Sequence, residues 1–254
     1  MWYTGAMSGV AGALLDVLDD VLPLNANWSI YDDRFDTYKS VYRQKKDSEN
    51  SEFYLEIDDS NASYTLVRLN ETWDPVNHIG GGKITGQAVW WKGATYGISL
   101  RDLSLMYASM NNRVAGYAGQ PQRFDVSYNT PVLGGGNSTT TLSAEGLSAG
   151  NTATTGFLQC MKDPSGNMVS LNVNGRLASD QMFIRSVGTG CFVYPRYLVL
   201  SVSPYSALGL FDGVIPHFNN LDVEDGDTVI IGGVEWEVLH WTSSYPGTIL
   251  VERA

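Results

Sequence analysis

The apolar positions near the N-terminus recur with the period of an α-helix. Between Ser8 and Leu22 they are spaced three and four residues apart, and the aspartates of this stretch lie mostly off the apolar stripe. Ser8 can cap the first turn, and Pro23 can follow a helix but cannot continue it. The sequence therefore predicts one amphipathic helix over residues 8–22, with its apolar stripe packed on a sheet.

Beyond this helix the pattern has the period of β-strands. Phe53, Leu55 and Ile57 alternate with more polar neighbours, as in a strand with one buried face. Similar short runs are predicted around residues 28–30, 38–42, 64–69, 88–91 and 96–100. Residues 1–128 are therefore predicted to form an α+β domain, with the helix packed on an antiparallel sheet.

Residues 129–156 carry little apolar content and are rich in Gly, Ser and Thr. They are predicted to form an arm or linker, and a long excursion or an arm that reaches a neighbouring subunit both stay open. Strand patterns return in residues 157–254, where Gly232-Gly233 fits a two-residue hairpin turn that needs positive φ. The predicted fold class is α+β and predominantly β, with a β-rich C-terminal half that forms a sandwich or small barrel.

Composition limits the classes of partner. The chain has 254 residues with a formal net charge of −11, and only 17% of them are charged. A negative chain repels phosphate backbones, so we expect no direct, sequence-specific binding of nucleic acid. No apolar run approaches the roughly 20 residues that span a bilayer, and the N-terminus lacks a signal-peptide pattern. We therefore expect a protein that is made in the cytoplasm and does not bind a membrane.

Candidate chemistry is sparse along the chain. The three histidines, His78, His217 and His240, lie far apart in sequence, and no metal-binding, nucleophile-elbow or phosphate-loop spacing occurs. Cys160 and Cys191 are predicted to be free, buried thiols, with one disulfide between them as the alternative. We therefore predict no catalytic residue, no metal and no cofactor, and we do not expect an enzyme.

The acidic residues leave alternatives open. Clusters such as Asp32-Asp33 match no calcium-loop spacing and are typical of turns. A glycoside hydrolase, however, needs only two carboxyl groups roughly 5–9.5 Å apart. The 27 acidic residues can supply such a pair. Tryptophans that can line a sugar cleft are also present, although they equally fill the cores of β proteins. A polysaccharide hydrolase and a host glycan- or receptor-binding module therefore remain alternative functions.

Short motifs follow one another in a particular order over residues 2–100. They are Trp2-Tyr3-Thr4-Gly5, Trp28-Ser29-Ile30-Tyr31-Asp32-Asp33, Phe53-Tyr54-Leu55-Glu56-Ile57 and Trp73-Asp74-Pro75-Val76-Asn77-His78. This order resembles virion structural proteins of tailed bacteriophages. The resemblance implies a subunit without catalysis, repeated in a ring of the neck (the head–tail connector), the tail or the baseplate. It also implies assembly in the host cytoplasm and a final location in the virion.

The resemblance implies contacts with copies of the same chain and with other virion structural proteins. Aromatic residues are enriched at protein interfaces and charges are depleted there. A loose arm can gain order when a neighbouring subunit receives it. The predicted interface residues are Trp2, Tyr3, Trp90, Trp91, Gly134, Gly135, Gly136 and Trp236. The predicted assembly state is a homo-oligomer.

Overall fold

The fold is that of a computed structural model, which describes residues 1–82, 85–109, 113–123, 131–135, 157–160, 170–173, 184–185, 192–193, 198–201, 207–210, 214–218, 227–240 and 247–253. Within these ranges strands predominate, one short α-helix is present, and the strands pair in antiparallel ladders. The predicted coarse class, predominantly β with an N-terminal helix, is therefore confirmed.

The elements follow one another along the chain. The helical segments are α1 (Ala13–Val21) and two 3₁₀ turns, Leu22–Leu24 and Asp47–Glu49. The strands up to residue 100 are β1 (Trp2–Ala6), β2 (Trp28–Asp36), β3 (Lys39–Lys46), β4 (Ser51–Asp58), β5 (Tyr64–Asn70), β6 (Thr72–Asp74), β7 (Ile79–Gly81), β8 (Ala88–Trp91) and β9 (Thr95–Leu100). The next strands are β10 (Ser104–Ser109), β11 (Arg113–Gly119), β12 (Gln122–Arg123), β13 (Val132–Gly135), β14 (Phe157–Cys160) and β15 (Ser170–Val173). The last strands are β16 (Ile184–Arg185), β17 (Phe192–Val193), β18 (Leu198–Ser201), β19 (Ala207–Leu210), β20 (Val214–Phe218), β21 (Thr228–Ile231), β22 (Val234–His240) and β23 (Gly247–Glu252).

The strands are arranged in four sheets. A ten-stranded sheet has the order β1-β9-β10-β11-β13-β14-β15-β18-β19-β12. A five-stranded sheet has the order β2-β3-β4-β5-β8, and a six-stranded sheet has the order β16-β17-β20-β23-β22-β21. Strands β6 and β7 form a separate two-stranded hairpin. The chain therefore builds its sheets mainly from neighbouring strands, as expected for antiparallel meanders.

One hydrophobic cluster joins the helix to the five-stranded sheet and the ten-stranded sheet. Leu14, Leu15 and Leu18 of α1 have no exposed surface. They share a cluster with residues of the five-stranded sheet and of the ten-stranded sheet, which include Tyr42, Phe53, Leu55, Trp90, Ile98, Leu105 and Tyr107. A fully buried leucine contributes about 1.5–3 kcal/mol relative to an exposed one. This shared core therefore holds the described N-terminal elements together.

The helix begins later than the sequence predicts. Gly12 has a φ of 83°, which is outside the helical region, and α1 starts at Ala13. Ser8 therefore does not cap the helix, and the predicted start at residue 8 is wrong. The amides of Leu14 and Leu15 instead donate to the Asp59 carboxylate, at 2.8 and 3.4 Å. A carboxylate from a distant turn thus takes the place of a local N-cap.

Part of the predicted arm is a strand. Residues Val132–Gly135 form β13, which pairs with β11 on one side and with β14 on the other. Their side chains are buried. The prediction of an arm over 129–156 is therefore wrong for these four residues, because their backbone groups are engaged in the ten-stranded sheet. Apart from Pro131, the rest of that segment lies outside the described residues.

The C-terminal hairpin predicted from the sequence is confirmed. Strands β21 and β22 pair antiparallel, with Ile231 opposite Val234. The two residues between them, Gly232 and Gly233, have φ values of 61° and 82°. Both lie in the left-handed region that a type I′ turn requires and that glycine adopts at little cost.

Candidate functional site

The most distinctive polar cluster in the described chain joins β2 to the β6–β7 hairpin. The indole nitrogen of Trp73 donates to Asp32 Oδ2 at 2.7 Å. Nδ1 of His78 lies 2.8 Å from the same oxygen, and it donates because a carboxylate oxygen accepts. Asp32 is only 8% exposed. One buried carboxylate therefore holds both the first strand of the hairpin and the end of its turn. We name this cluster of Asp32, Trp73 and His78 the Asp32 latch.

Aromatic packing reinforces the Asp32 latch. The ring of Phe35 stacks on the imidazole of His78, with centroids 5.1 Å apart and planes at 11°. The same ring packs against Trp73 at 5.5 Å. Val41, Tyr54 and Trp73 form a hydrophobic cluster of their own, separate from the main core. The hairpin is thus fixed to the sheet by apolar contacts as well as by hydrogen bonds.

The hairpin presents a preorganised apolar tip. The backbone amides of Val76 and Asn77 donate to Asp74 Oδ1 at 2.9 and 3.2 Å. The side-chain amide of Asn77 donates to Asp74 Oδ2 at 2.6 Å. These bonds, that of the Asn77 side chain first, lower the pKa of Asp74. Val76 and Ile79 are 83% and 61% exposed. The tip therefore combines a defined backbone with apolar side chains that face solvent.

An aspartate that orients a histidine also occurs in hydrolase triads, so the contacts of the Asp32 latch must be compared with those of such a triad. A triad needs a hydroxyl or thiol within hydrogen-bond reach of the imidazole. Within the described residues, no serine, threonine or cysteine hydrogen-bonds to His78; its contacts are with Asp32 and the ring of Phe35. These contacts fix the hairpin in place, which is a structural role.

We expect Asp32→Ala to loosen the hairpin without unfolding the protein. The substitution leaves the buried Trp73 indole without its acceptor, at a cost of about 1–3 kcal/mol. Hydrogen exchange of the amides in residues 72–81 should then become faster, while that of β3 and β4 should not. Asp33→Ala is the matched control, because the Asp33 side chain is 62% exposed. Equal exchange in the two variants would contradict the role given to Asp32.

A second candidate is an open cavity of about 480 Å³ between β3 and the loops that follow β9 and β11. Polar side chains line much of it, among them Asn25, Lys46, Glu49, Arg101, Asp102 and Gln120. Lys46 Nζ lies 2.9 Å from Asp102 Oδ2. Hydrogen bonds from Lys46 and then Asn25 lower the pKa of Asp102. A catalytic general acid needs the opposite shift, so Asp102 does not suit that role in glycoside cleavage.

A buried ion pair lies below the start of α1. Lys92 Nζ and Asp59 Oδ1 are 2.7 Å apart, and their side chains are 1% and 0% exposed. The Thr65 hydroxyl also donates to Asp59 Oδ1, and Lys92 Nζ donates to the Val10 carbonyl oxygen at 3.0 Å. Nearly every polar atom of the pair therefore has a protein partner. Neither Asp59 nor Lys92 stands in a recognisable motif, so the sequence gives no signal for this pair.

The predicted interface residues do not share one surface. Trp90 has no exposed surface, and Trp236 is 5% exposed. Gly134 and Gly135 are buried within β13. These four positions lie inside the protein, so the prediction that they contact a neighbouring subunit is wrong. Their apolar character serves the core instead.

The other predicted interface residues are partly accessible or not described. Trp2, Tyr3 and Trp91 are half-buried. Trp2 and Tyr3 lie on β1, where the Trp2 amide donates to the Arg253 carbonyl oxygen at 3.1 Å. Gly136 lies outside the described residues. The structure therefore does not bring this set together into one patch.

The remaining candidate ligands yield no metal centre in the part of the chain that is described. No group of three or more His, Cys, Asp or Glu side chains there is arranged to hold a metal ion. His217 and His240 lie on β20 and β22, and Cys160 lies on β14, but their side chains are outside the described part, as is all of Cys191. The predictions for the cysteines therefore stay predictions.

Comparison with known proteins gives no relative on which to base a function. No protein-family model matches the chain, and no curated protein is significantly similar to it. Among the described residues, no helix has the length and apolar character needed to cross a membrane. A function for this chain must therefore be inferred from its residues and their contacts.

Proposed function

We propose that this chain is a non-enzymatic structural subunit of a tailed-bacteriophage particle. It assembles as a repeated, ring-type component of the neck, tail or baseplate. Its partners are copies of itself and other virion structural proteins, and it binds neither nucleic acid by sequence nor a membrane. It is assembled in the host cytoplasm and resides in the virion.

One observation carries this proposal: two of the motifs behind the phage resemblance contact each other. Asp32 belongs to the motif around residues 28–33, and Trp73 and His78 belong to the motif of residues 73–78. Both hydrogen bonds to Asp32 Oδ2 join these two stretches. The two motifs thus have an architectural reason to occur together in this chain, which is consistent with a structural role. An exposed, well-ordered apolar tip also suits a protein that is built into an assembly.

The finer architecture belongs to the same proposal. We infer that α1 packs on the antiparallel sheet and that the β-rich C-terminal half forms a sandwich or small barrel. The helix–sheet cluster supports the first part. The six-stranded sheet that contains β20 to β23 supports the second. The predicted boundary between residues 1–128 and 157–254 is crossed by the ten-stranded sheet, in which β12 pairs with β19 and β13 pairs with β14.

The alternative functions receive less support. A glycan-binding groove is expected to display exposed tryptophans, yet the six described tryptophans are all buried or half-buried. A glycoside hydrolase uses one carboxyl with a raised pKa as general acid, and the lowered pKa values of Glu52, Asp74 and Asp102 do not suit these three carboxyls for that role. For Glu52, hydrogen bonds led by that from Arg43 outweigh the opposing effect of burial. These observations favour the structural subunit.

The decisive experiment measures where the protein occurs and in what form. Mass spectrometry of intact phage particles should find the chain in many copies, and light scattering should find the purified protein self-associating. A chain that is absent from particles and monomeric at every concentration would overturn the proposal. A positive saccharide array, or cleavage of capsule polymers by the purified protein, would favour the glycan-binding or hydrolase alternative instead.

A further inference from the structure

An uncharged sheet edge lies at the C-terminal hairpin. Strand β21 is the last strand of the six-stranded sheet, and among the described residues it pairs with β22 alone. Thr228 and Ile230 are exposed, and Ile230 is 71% exposed. The strand has the sequence Thr-Val-Ile-Ile and contains no charge. It is therefore an apolar edge that faces solvent.

The hydrogen-bond pattern shows which backbone groups point to this edge. Ile230 is opposite Glu235 in the ladder. The carbonyl oxygen of Glu235 accepts from the Arg253 amide at 3.0 Å, on the β23 side. In an antiparallel ladder the N–H and C=O of one residue point to the same side of the strand. In a non-hydrogen-bonded pair, the N–H and C=O of both residues point away from the partner strand. Ile230 therefore directs its N–H and C=O to the free edge, and Thr228, two residues earlier, does the same.

A sheet edge with charged residues and bulges occurs in the same protein. Strand β2 ends the five-stranded sheet and carries Asp32, Asp33 and Asp36. Its register against β3 also shifts twice. Charges and bulges are the devices by which sheet edges avoid pairing with another chain. The edge at β2 has both devices, whereas β21 has neither.

We propose that β21 of one copy pairs antiparallel with β21 of a second copy across a two-fold axis. The proposal deepens the proposed function, because it rests on self-assembly and assigns one of its contacts. A chain with a net charge of −11 repels its own copies over most of its surface. β21 itself adds no charged side chain to that repulsion, which is why a second copy of the chain is the occupant that fits this edge.

The geometry of such a pair is defined by the side-chain faces. A two-fold axis perpendicular to the sheet keeps each side chain on its own face of the sheet. Two residues that lie opposite each other across the axis must therefore have their side chains on the same face. Either Ile230 lies opposite Ile230 of the second copy, or Val229 lies opposite Val229 of the second copy. Both registers place apolar or uncharged residues of β21 against one another. The first register also covers the exposed Ile230 side chains with each other.

Two substitutions test the pairing without disturbing the monomer. Ile230→Pro removes an N–H that points to the free edge, so the β21–β22 ladder keeps its bonds. Ile230→Lys places like charges at the proposed axis. Each is expected to weaken self-association of the full chain about 10- to 100-fold. For Ile230→Pro this corresponds to two lost hydrogen bonds, one from each copy. Sedimentation velocity over a concentration series measures this change.

Leu24→Lys is the matched control, because Leu24 is a large apolar residue that is 58% exposed and lies on neither β21 nor the β6–β7 hairpin. It should leave the association of the purified protein unchanged, and circular dichroism should show that all three variants are folded. If the wild type self-associates and both Ile230 variants associate equally well, the β21 contact is overturned while the proposed function stands. If the wild type is monomeric throughout and absent from particles, both are overturned.

Discussion

Replacement of Asp59 with alanine is expected to lower the free energy of unfolding by about 3–5 kcal/mol, the largest effect of any single change to the described polar groups. The substitution leaves the Lys92 ammonium group buried without its counter-charge. It also removes the acceptor for the first amides of α1 and for the Thr65 hydroxyl. Urea unfolding followed by circular dichroism measures the loss.

Neighbouring Asp58 is the matched control for this prediction. Its side chain is 26% exposed and lies 3.5 Å from Lys39, so the pair resembles a surface salt bridge. Asp58→Ala should cost less than about 1 kcal/mol. A double variant, Asp59→Leu with Lys92→Met, should regain stability relative to Asp59→Ala, because it removes the unpaired charge and fills the space. A double variant as unstable as the single one would show that the lost hydrogen bonds to Leu14 and Thr65, and not the unpaired charge, dominate this junction.

Replacement of Trp90 with alanine is expected to cost about 3–5 kcal/mol, as for other large buried aromatics. The Trp90 ring stacks on Tyr107 with centroids 5.8 Å apart, and its indole nitrogen donates to the Gly134 carbonyl oxygen at 2.8 Å. A side chain at Gly116 would clash with the same indole, so the neighbouring strand is shaped around it. The loss should appear in urea unfolding as an earlier midpoint.

Comparison of variants at Trp90 and the adjacent Trp91 distinguishes a core role of Trp90 from an interface role. Its side chain is half-buried and makes an edge contact with Tyr64 at 5.6 Å. Trp91→Ala should therefore cost roughly 1 kcal/mol, well below the cost at Trp90, because less apolar area is lost. If Trp90→Ala kept full stability and instead weakened self-association, the original prediction of an interface at Trp90 would be restored.

Local patterns gave the more reliable predictions because they depend on neighbours in sequence. Alternation around Phe53 predicted a strand, and β4 covers Ser51–Asp58. The two glycines at 232 and 233 predicted the hairpin turn because only their positive φ values allow it. The start of α1 was predicted less well, since its cap comes from Asp59, which lies 45 residues beyond Leu14.

The sequence by itself determined that the chain is rich in β-strands, contains a short N-terminal helix and closes with a glycine hairpin, because side-chain period and glycine conformation act over a few residues. Only the tertiary structure decided that Trp90 and Gly134 lie in the core, that Asp59 and Lys92 form a buried pair, and that Asp32 latches the β6–β7 hairpin. These outcomes depend on which distant strands become neighbours. Burial and charge pairing are properties of that arrangement. They cannot be predicted from a residue's type and its position in the chain alone.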